Sequence, residues 1–366
     1  MLSIFRNWID RYFHDEESVL LLVIFVLSGL IIWSMGQILA PIFAAIIIAF
    51  LMQGFVNRLK SVGVPHLYAV IVAVVFLVGC MISAIVFLVP ALWKQSVNLA
   101  SELPGMVVEW RQSLLSLSER FSKLISEQQM EELMQNISGD LGALAQTVLS
   151  FSLSSLPVLF FTIFYLVLVP ILIFLFLKDS EYILTSLSSL LPKKRPVMRK
   201  IWIEMNRQIA NYVRGKISEI VIVGVVSYIA FLILGLNYAI LLAVAVGLSV
   251  LIPFIGATVV TIPVLLIGFF QWGWSNELLY LAITYLVIQM LDGYVLVPIL
   301  FSEAVDLPPV IIVLAVMIFG GLWGFWGVFF AIPLATLIGA VFHAWQTRDF
   351  ILEHPDSDAL PTKEIV

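Results

Sequence analysis

Between Ile217 and Trp345 the sequence contains no lysine and no arginine. Charge is scarce throughout: Asp, Glu, Lys and Arg make up 12% of the 366 residues, against 61% hydrophobic ones. Soluble domains run to about 25% charged and about 45–50% apolar residues, so this composition excludes an ordinary soluble protein. A single cysteine, Cys80, excludes an intrachain disulfide; it lies in an apolar run and reads as a small buried hydrophobe. Several catalytic signatures are absent too. There is no G-x-x-x-x-G-K-[ST] phosphate loop, no H-E-x-x-H, no cysteine–histidine metal cluster and no G-x-S-x-G nucleophile turn. An intramembrane aspartyl protease needs two carboxylates acting together, and Asp292 has no second aspartate at comparable depth in the sequence. No enzyme, cofactor or metal chemistry is expected.

What remains is a chain of long apolar runs. About 20 apolar residues cross a bilayer. Such spans are predicted at Ser18–Met35, Ile38–Val56, Leu67–Leu92, Leu153–Leu177, Ile217–Leu236, Tyr238–Phe270, Leu278–Leu300 and Pro308–Trp345. The polar lead Met1–Glu17 and the long run after it, with no small-residue cleavage site, read as a retained membrane helix rather than a signal peptide. The sixth and eighth spans are too long for simple crossings. Pro253 and Gly256 interrupt the sixth; Gly320, Gly321, Gly324, Gly327 and Pro333 lie in the eighth. Both are candidates for broken or re-entrant helices, which are tolerated at membrane depth only inside protein or beside a wet cavity. A plain proline kink at Pro253 and close helix packing at the glycines are the simpler readings.

Lysine and arginine set the orientation. Arg6 and Arg11 precede the first span, Arg58 and Lys60 follow the second, and a basic segment from Lys178 to Lys216 follows the fourth. Alternating spans place all three on one side, taken as cytoplasmic, with both termini there. The acidic insertion 93–152 then lies outside. Its stripe Leu114, Leu117, Phe121 and Leu124, repeated at Met130, Leu133, Met134 and Ile137, predicts two amphipathic helices. The inner segment shows the same spacing at Ile183, Leu187, Leu190 and Leu191, then a basic loop at 192–196, then Ile201, Met205, Ile209 and Tyr212. Its lysines and arginines hold topology and meet anionic lipid; nothing favours nucleic acid.

Asp292 is the focus of any chemistry. A charge in mid-membrane costs about 2.5–3.5 kcal/mol on insertion scales, so such residues tend to line pathways. With no cation in its own half, Asp292 is neutral, pairs with a cation from the first half, binds a cation, or faces water. Gln289, three residues earlier, shares its helix face. Glu303 and Asp306 form a possible rim in a short loop. Glu219 either snorkels or pairs with Lys216 or Arg214 at the interface. His343 reads as an interfacial residue rather than a ligand.

An ordered set of motifs adds to this reading. Asn211-Tyr212-Val213-Arg214-Gly215-Lys216, Leu234-Gly235-Leu236-Asn237-Tyr238, Ile252-Pro253-Phe254-Ile255-Gly256, Gln289-x-x-Asp292 with Pro298, Leu307-Pro308-Pro309 and the glycine-rich Phe319–Pro333 resemble the autoinducer-2 exporter family over nearly the whole chain. The resemblance implies a bacterial inner-membrane protein of about eight spans, assembled as a homo-oligomer, with pentamers the expected form. Some relatives are assigned export of autoinducer-2, others sodium/proton antiport.

The expected fold is therefore an all-α polytopic membrane protein: about eight transmembrane helices, two broken or re-entrant, with helical periplasmic and cytoplasmic insertions. Its parts are membrane helices 1–3 (1–92), the periplasmic insertion (93–152), membrane helix 4 (153–177), the basic cytoplasmic segment (178–216), membrane helices 5–8 with the transport site (217–345) and a polar cytoplasmic tail (346–366). The expected pathway for a small polar solute, a proton or a sodium ion comprises Asp292, Gln289, Pro253, Gly256, Gly320, Gly321 and Gly324. Asn211, Arg214 and Lys216 mark the cytoplasmic interface. The leading expectation is a secondary transporter exporting a small polar solute. The alternatives are a cation/proton antiporter, a non-transporting scaffold or regulator, and a channel.

Overall fold

The computed structural model describes residues 16–118, 139, 142–143, 146–147, 156–189, 196–253, 255–301 and 307–353. Every element among them is helical. In chain order these are α1 (Glu16–Ser61), α2 (His66–Ser83), a π turn (Ala84–Leu88), α3 (Val89–Ser118), α4 (Leu156–Lys178) and α5 (Ser180–Ser189). There follow α6 (Pro196–Leu234), α7 (Ala239–Ser249), α8 (Ile255–Trp272), α9 (Asn276–Leu291), a second π turn (Asp292–Leu296), α10 (Val297–Phe301) and α11 (Pro309–Glu353). Six helices are long and apolar enough to cross a membrane, or seven if α4 and α5, bent by 73° across Asp179, act as one span. Exposed side chains such as Phe87, Ile233 and Tyr294 fit this class, since lipid rather than water faces them. Cys80, expected to be buried, is exposed on α2.

The predicted first and second spans are one helix. α1 runs unbroken for 46 residues, with Pro41 inside it and no turn between Met35 and Ile38. At 1.5 Å per residue its length along the helix is about 68 Å. The parity argument that placed both termini on one side relied on that missing turn. The third predicted span also continues further than expected, through the π turn into α3, so the outer insertion begins as an extension of a membrane helix. The second amphipathic stripe at Met130–Ile137, part of the first (Phe121, Leu124) and most of the basic loop at 192–196 lie outside the described residues.

The chain forms two compact units. One comprises 1–51, 175–215 and 301–366; the other comprises 52–174 and 216–300. In the second unit α6, α7, α8 and α9 share a core of Phe231, Leu242, Val246, Val264, Ile267, Leu281 and Tyr285. α7 lies against α6 at backbone distance, because a Cβ on Gly247 would meet the Ile220 carbonyl oxygen at 2.8 Å and Gly224 Cα at 3.1 Å. Glycines at facing positions permit such contact in lipid, where hydrophobicity does not drive helices together.

The predicted sixth span is a helical hairpin of α7 and α8 rather than one helix. Gln271, at the end of α8, donates to the Gly235 carbonyl at 2.7 Å and accepts from the Asn237 amide at 2.7 Å, both just ahead of α7. Entry and exit therefore lie at the same level. Gly256 sits at the turn, where a Cβ would fall 1.7 Å from the Ser249 carbonyl oxygen. The mouth of the hairpin is fastened from α3: Gln95 accepts from the Leu241 amide in the first turn of α7 at 2.9 Å, and Tyr238 donates its hydroxyl to Glu102. Burial and the Glu102 carboxylate push the Tyr238 phenol above its ordinary range.

In the first unit, α11 is interrupted at Gly324, whose φ of 58° and ψ of −133° suit glycine alone. A Cβ on Gly327 would fall 1.8 Å from the Phe319 carbonyl oxygen. Residues eight apart on a straight helix are separated by about 12 Å, so the chain reverses here. The last predicted span is thus two arms meeting at a tight glycine turn rather than a bent rod.

Gly256→Ala should cost about 1–3 kcal/mol or more, because the turn cannot yield a carbonyl to a methyl group. Thermal unfolding of purified protein in detergent would show this as a lowered Tm, with Gly79→Ala, which meets nothing within 4 Å, unchanged.

Candidate functional site: a buried charge cluster at a hairpin tip

Three ionisable groups of the second unit, Lys216, Glu219 and Asp292, come together where the α7–α8 hairpin turns. Lys216 and Glu219 lie one turn apart on α6, and both are buried, at 4% and 2% exposed. Lys216 Nζ donates to Glu219 Oε2 at 2.7 Å and to the Val250 carbonyl at 2.8 Å. The second bond falls on the C-terminal end of α7, where unsatisfied carbonyls carry partial negative charge and a cation is favoured. One ammonium thus neutralises a buried carboxylate and ties the hairpin tip to α6.

Asp292 joins this cluster from α9. It is half-buried, at the start of the second π turn. The charge of Lys216 acts on it, and Asp292 in turn acts on Glu219. The wide turn re-aims the side chains that follow, and such turns recur at functional sites. Asp292 Oδ1 is buried without a hydrogen-bond partner. One turn back, Gln289 Nε2 donates to the Tyr285 hydroxyl at 2.8 Å, and that hydroxyl reaches the Ala257 carbonyl at 3.5 Å in the first turn of α8. Thr261 donates to the same carbonyl at 2.7 Å.

Helix lengths fix the depth. Lys216 lies about 30 Å down α6 from the Leu236 turn, and Asp292 about 25 Å down α9 from the Ser275 turn, at 1.5 Å per residue. Those turns lie beside Trp272 and exposed Trp274 and Glu277, as at a membrane–water boundary. The cluster therefore lies at the end of these helices away from those turns.

The sequence-derived residues divide accordingly. Asp292, Gln289, Pro253 and Gly256 all belong to the second unit, with Pro253 half-buried and Gly256 buried beside Ser249. Lys216, assigned from sequence to the cytoplasmic interface, is instead buried in the cluster. Arg214 is exposed, with its guanidinium 5.6 Å from the centre of the Phe50 ring, and Asn211 is half-buried. Gly320, Gly321 and Gly324 belong to the reversal of the first unit, and the cluster is built without them. In that unit Tyr212 donates to the Phe329 carbonyl at 3.0 Å. Glu303, Asp306 and Phe254 lie outside the described residues.

Sequence reasoning missed Glu219 as a site residue, together with Tyr285 and the Val250 carbonyl. The pairing of Glu219 with Lys216 was one of the alternatives read from the sequence, and it is the one the structure shows. Nothing local announced that α7 would end against it.

The geometry defines an all-helical polytopic membrane protein with a polar cluster enclosed among membrane helices, the architecture of a transporter. Comparison with known proteins gives the same class. Residues 20–347 match the family described as AI-2E family transporter, and the chain belongs to it. It is 44% identical over 345 residues to PerM of Escherichia coli (strain K12), named a permease, covering 94% of this chain and 98% of that one. It is 24% identical over 339 residues to YrrI of Bacillus subtilis (strain 168), named a transport protein, covering 87% and 92% of the two chains. YueF of the same organism, likewise named a transport protein, is 23% identical over 325 residues, with 87% of each chain covered.

Removing one member of a buried ion pair leaves the other uncompensated, at about 3–5 kcal/mol, whereas replacing both with apolar groups is far milder. Lys216→Met should therefore lower Tm sharply, and Lys216→Met with Glu219→Leu should recover most of the loss. A double variant as unstable as the single one would remove charge pairing as the cause.

Proposed function

We propose that this chain is a secondary transporter of the bacterial cytoplasmic membrane that moves a small polar solute, autoinducer-2-like by family, through the second unit. The supporting observation is the convergence of Lys216, Glu219 and Asp292 on the tip of a hairpin whose helices end inside the membrane. A polar cargo needs hydrogen-bonding groups at depth, and half-helix ends with free backbone groups provide them. Asp292, together with the Gln289–Tyr285 pair, forms the cargo-facing wall. The Lys216–Glu219 pair holds the tip of the hairpin in place. The basic segment 178–216 faces the cytoplasm, as its lysines and arginines require.

Alternating exposure follows if the α7–α8 hairpin moves against α6 and α9. Its mouth carries polar fastenings from α3 that such a movement would exchange: Gln95 to Leu241 and Glu102 to Tyr238. Its tip carries the Lys216–Val250 bond. A cation/proton antiporter would use the same cluster with inorganic cargo.

The test is flux in vesicles containing purified protein under imposed proton and sodium gradients, wild type beside Asp292→Asn at matched protein content. The expected result is a loss of about tenfold or more in the variant, or loss of its gradient dependence, the scale of a coupling free energy of about 1–3 kcal/mol. Normal flux with normal gradient dependence in Asp292→Asn would remove this site from transport.

A further inference from the structure

The three charges of the cluster are unequally satisfied. Glu219 Oε2 has the Lys216 ammonium at 2.7 Å, and Lys216 also has the Val250 carbonyl. Asp292 Oδ1 is closed off from solvent and receives no hydrogen bond. A buried acceptor left without a donor is costly, more so when it carries charge. That oxygen is left to be met by a donor or by a positive partner.

The surroundings discriminate between possible partners. A hard metal cation needs several oxygen ligands around it. Two backbone oxygens beside Asp292 already accept hydrogen bonds: the Val250 carbonyl takes Lys216, and the Ala257 carbonyl takes Thr261 and Tyr285, whose own hydroxyl takes Gln289. Among the described residues no three Asp, Glu, His or Cys side chains are grouped to hold a metal ion. Lys216 is a fixed cation whose charge reaches Asp292 and opposes a second one. A proton needs no cage. It forms one O–H bond on the carboxylate, and with Lys216 and Glu219 charged it takes the cluster from one net negative charge to none.

We infer that Asp292 is a proton-binding carboxyl, and that the proton rather than sodium is the ion this cluster takes up and releases. The charged groups facing it are Lys216 and Glu219 from α6, and the nearby titratable groups on its own helical run are Tyr285 and the exposed Tyr294. The α7 and α8 segments contribute no ionisable side chain. The proton enters from water and returns to water, so the step needs no other reactant. The inference takes the cluster named under the proposed transport function as its site, but proton binding is measurable without any cargo.

The experiment is infrared difference spectroscopy of the purified full chain in lipid nanodiscs, stepping the pH at constant ionic strength in sodium and in choline salts. Wild type should show a protonated-carboxyl band that grows as pH falls and is the same in both salts. The band should persist in Glu219→Gln and be lost in Asp292→Asn. If Asp292→Asn does not assemble, Asp292→Glu retains a carboxyl and should move the band instead. Two results overturn the inference: no band assignable to position 292 at any pH, or a band that sodium suppresses at fixed pH. Absent flux with the band intact would sink the transport reading alone. Intact flux without the band would sink this inference alone.

Discussion

One buried ammonium holds the second unit together. Lys216 is nearly inaccessible, and Glu219 and the Val250 carbonyl offset the cost of burying its charge. Its two bonds serve different ends. The bond to Glu219 lets α6 carry a carboxylate into the protein interior. The bond to Val250 gives a donor to the end of α7, where the last carbonyls of a helix have no partner within the helix. The hairpin turns there, and α8 returns to the level at which α7 began. α9 then descends beside α8 and delivers Asp292 to the same depth as Lys216.

Packing without a hydrophobic drive explains the rest of the unit. Lipid is as apolar as the side chains, so helices associate through close contact and hydrogen bonds. Gly224 and Gly247 let α6 and α7 touch at the backbone, and Gly256 lets the turn close against Ser249. At the opposite end Gln95, Glu102 and Gln271 satisfy the backbone and the Tyr238 hydroxyl where the hairpin emerges. The hairpin is thus held along its length by the close-packed α6–α7 seam and at its mouth by polar bonds.

Much of this was legible in the sequence for a physical reason. Apolar runs report the need to hide backbone polarity from lipid, and that need is local. The helical class, most spans and the breaks at Pro253–Gly256 and Gly320–Gly327 follow from it. Boundaries between adjacent spans were less legible: Met35–Ile38 contains the only polar interruption between two apolar runs, and α1 passes through it as helix. Gly36 and Gln37 tolerate a helix and do not force a turn. Lys216 was misread for a related reason. A lysine at the edge of an apolar run looks like a snorkelling residue, and only a partner from elsewhere in the chain can reverse that.

The sequence by itself determined that this is a polytopic membrane protein with few intramembrane charges, because hydropathy and charge are properties of each segment alone. It also determined where helices break, since proline and glycine act on their own backbone. Only the tertiary structure decided that the Pro253 break is a hairpin, that Gly324 reverses the chain, and that Asp292 shares its site with Lys216 and Glu219. Those outcomes depend on which carbonyl or carboxylate a distant helix presents at a given depth, and that is set by helix length and packing rather than by any local pattern.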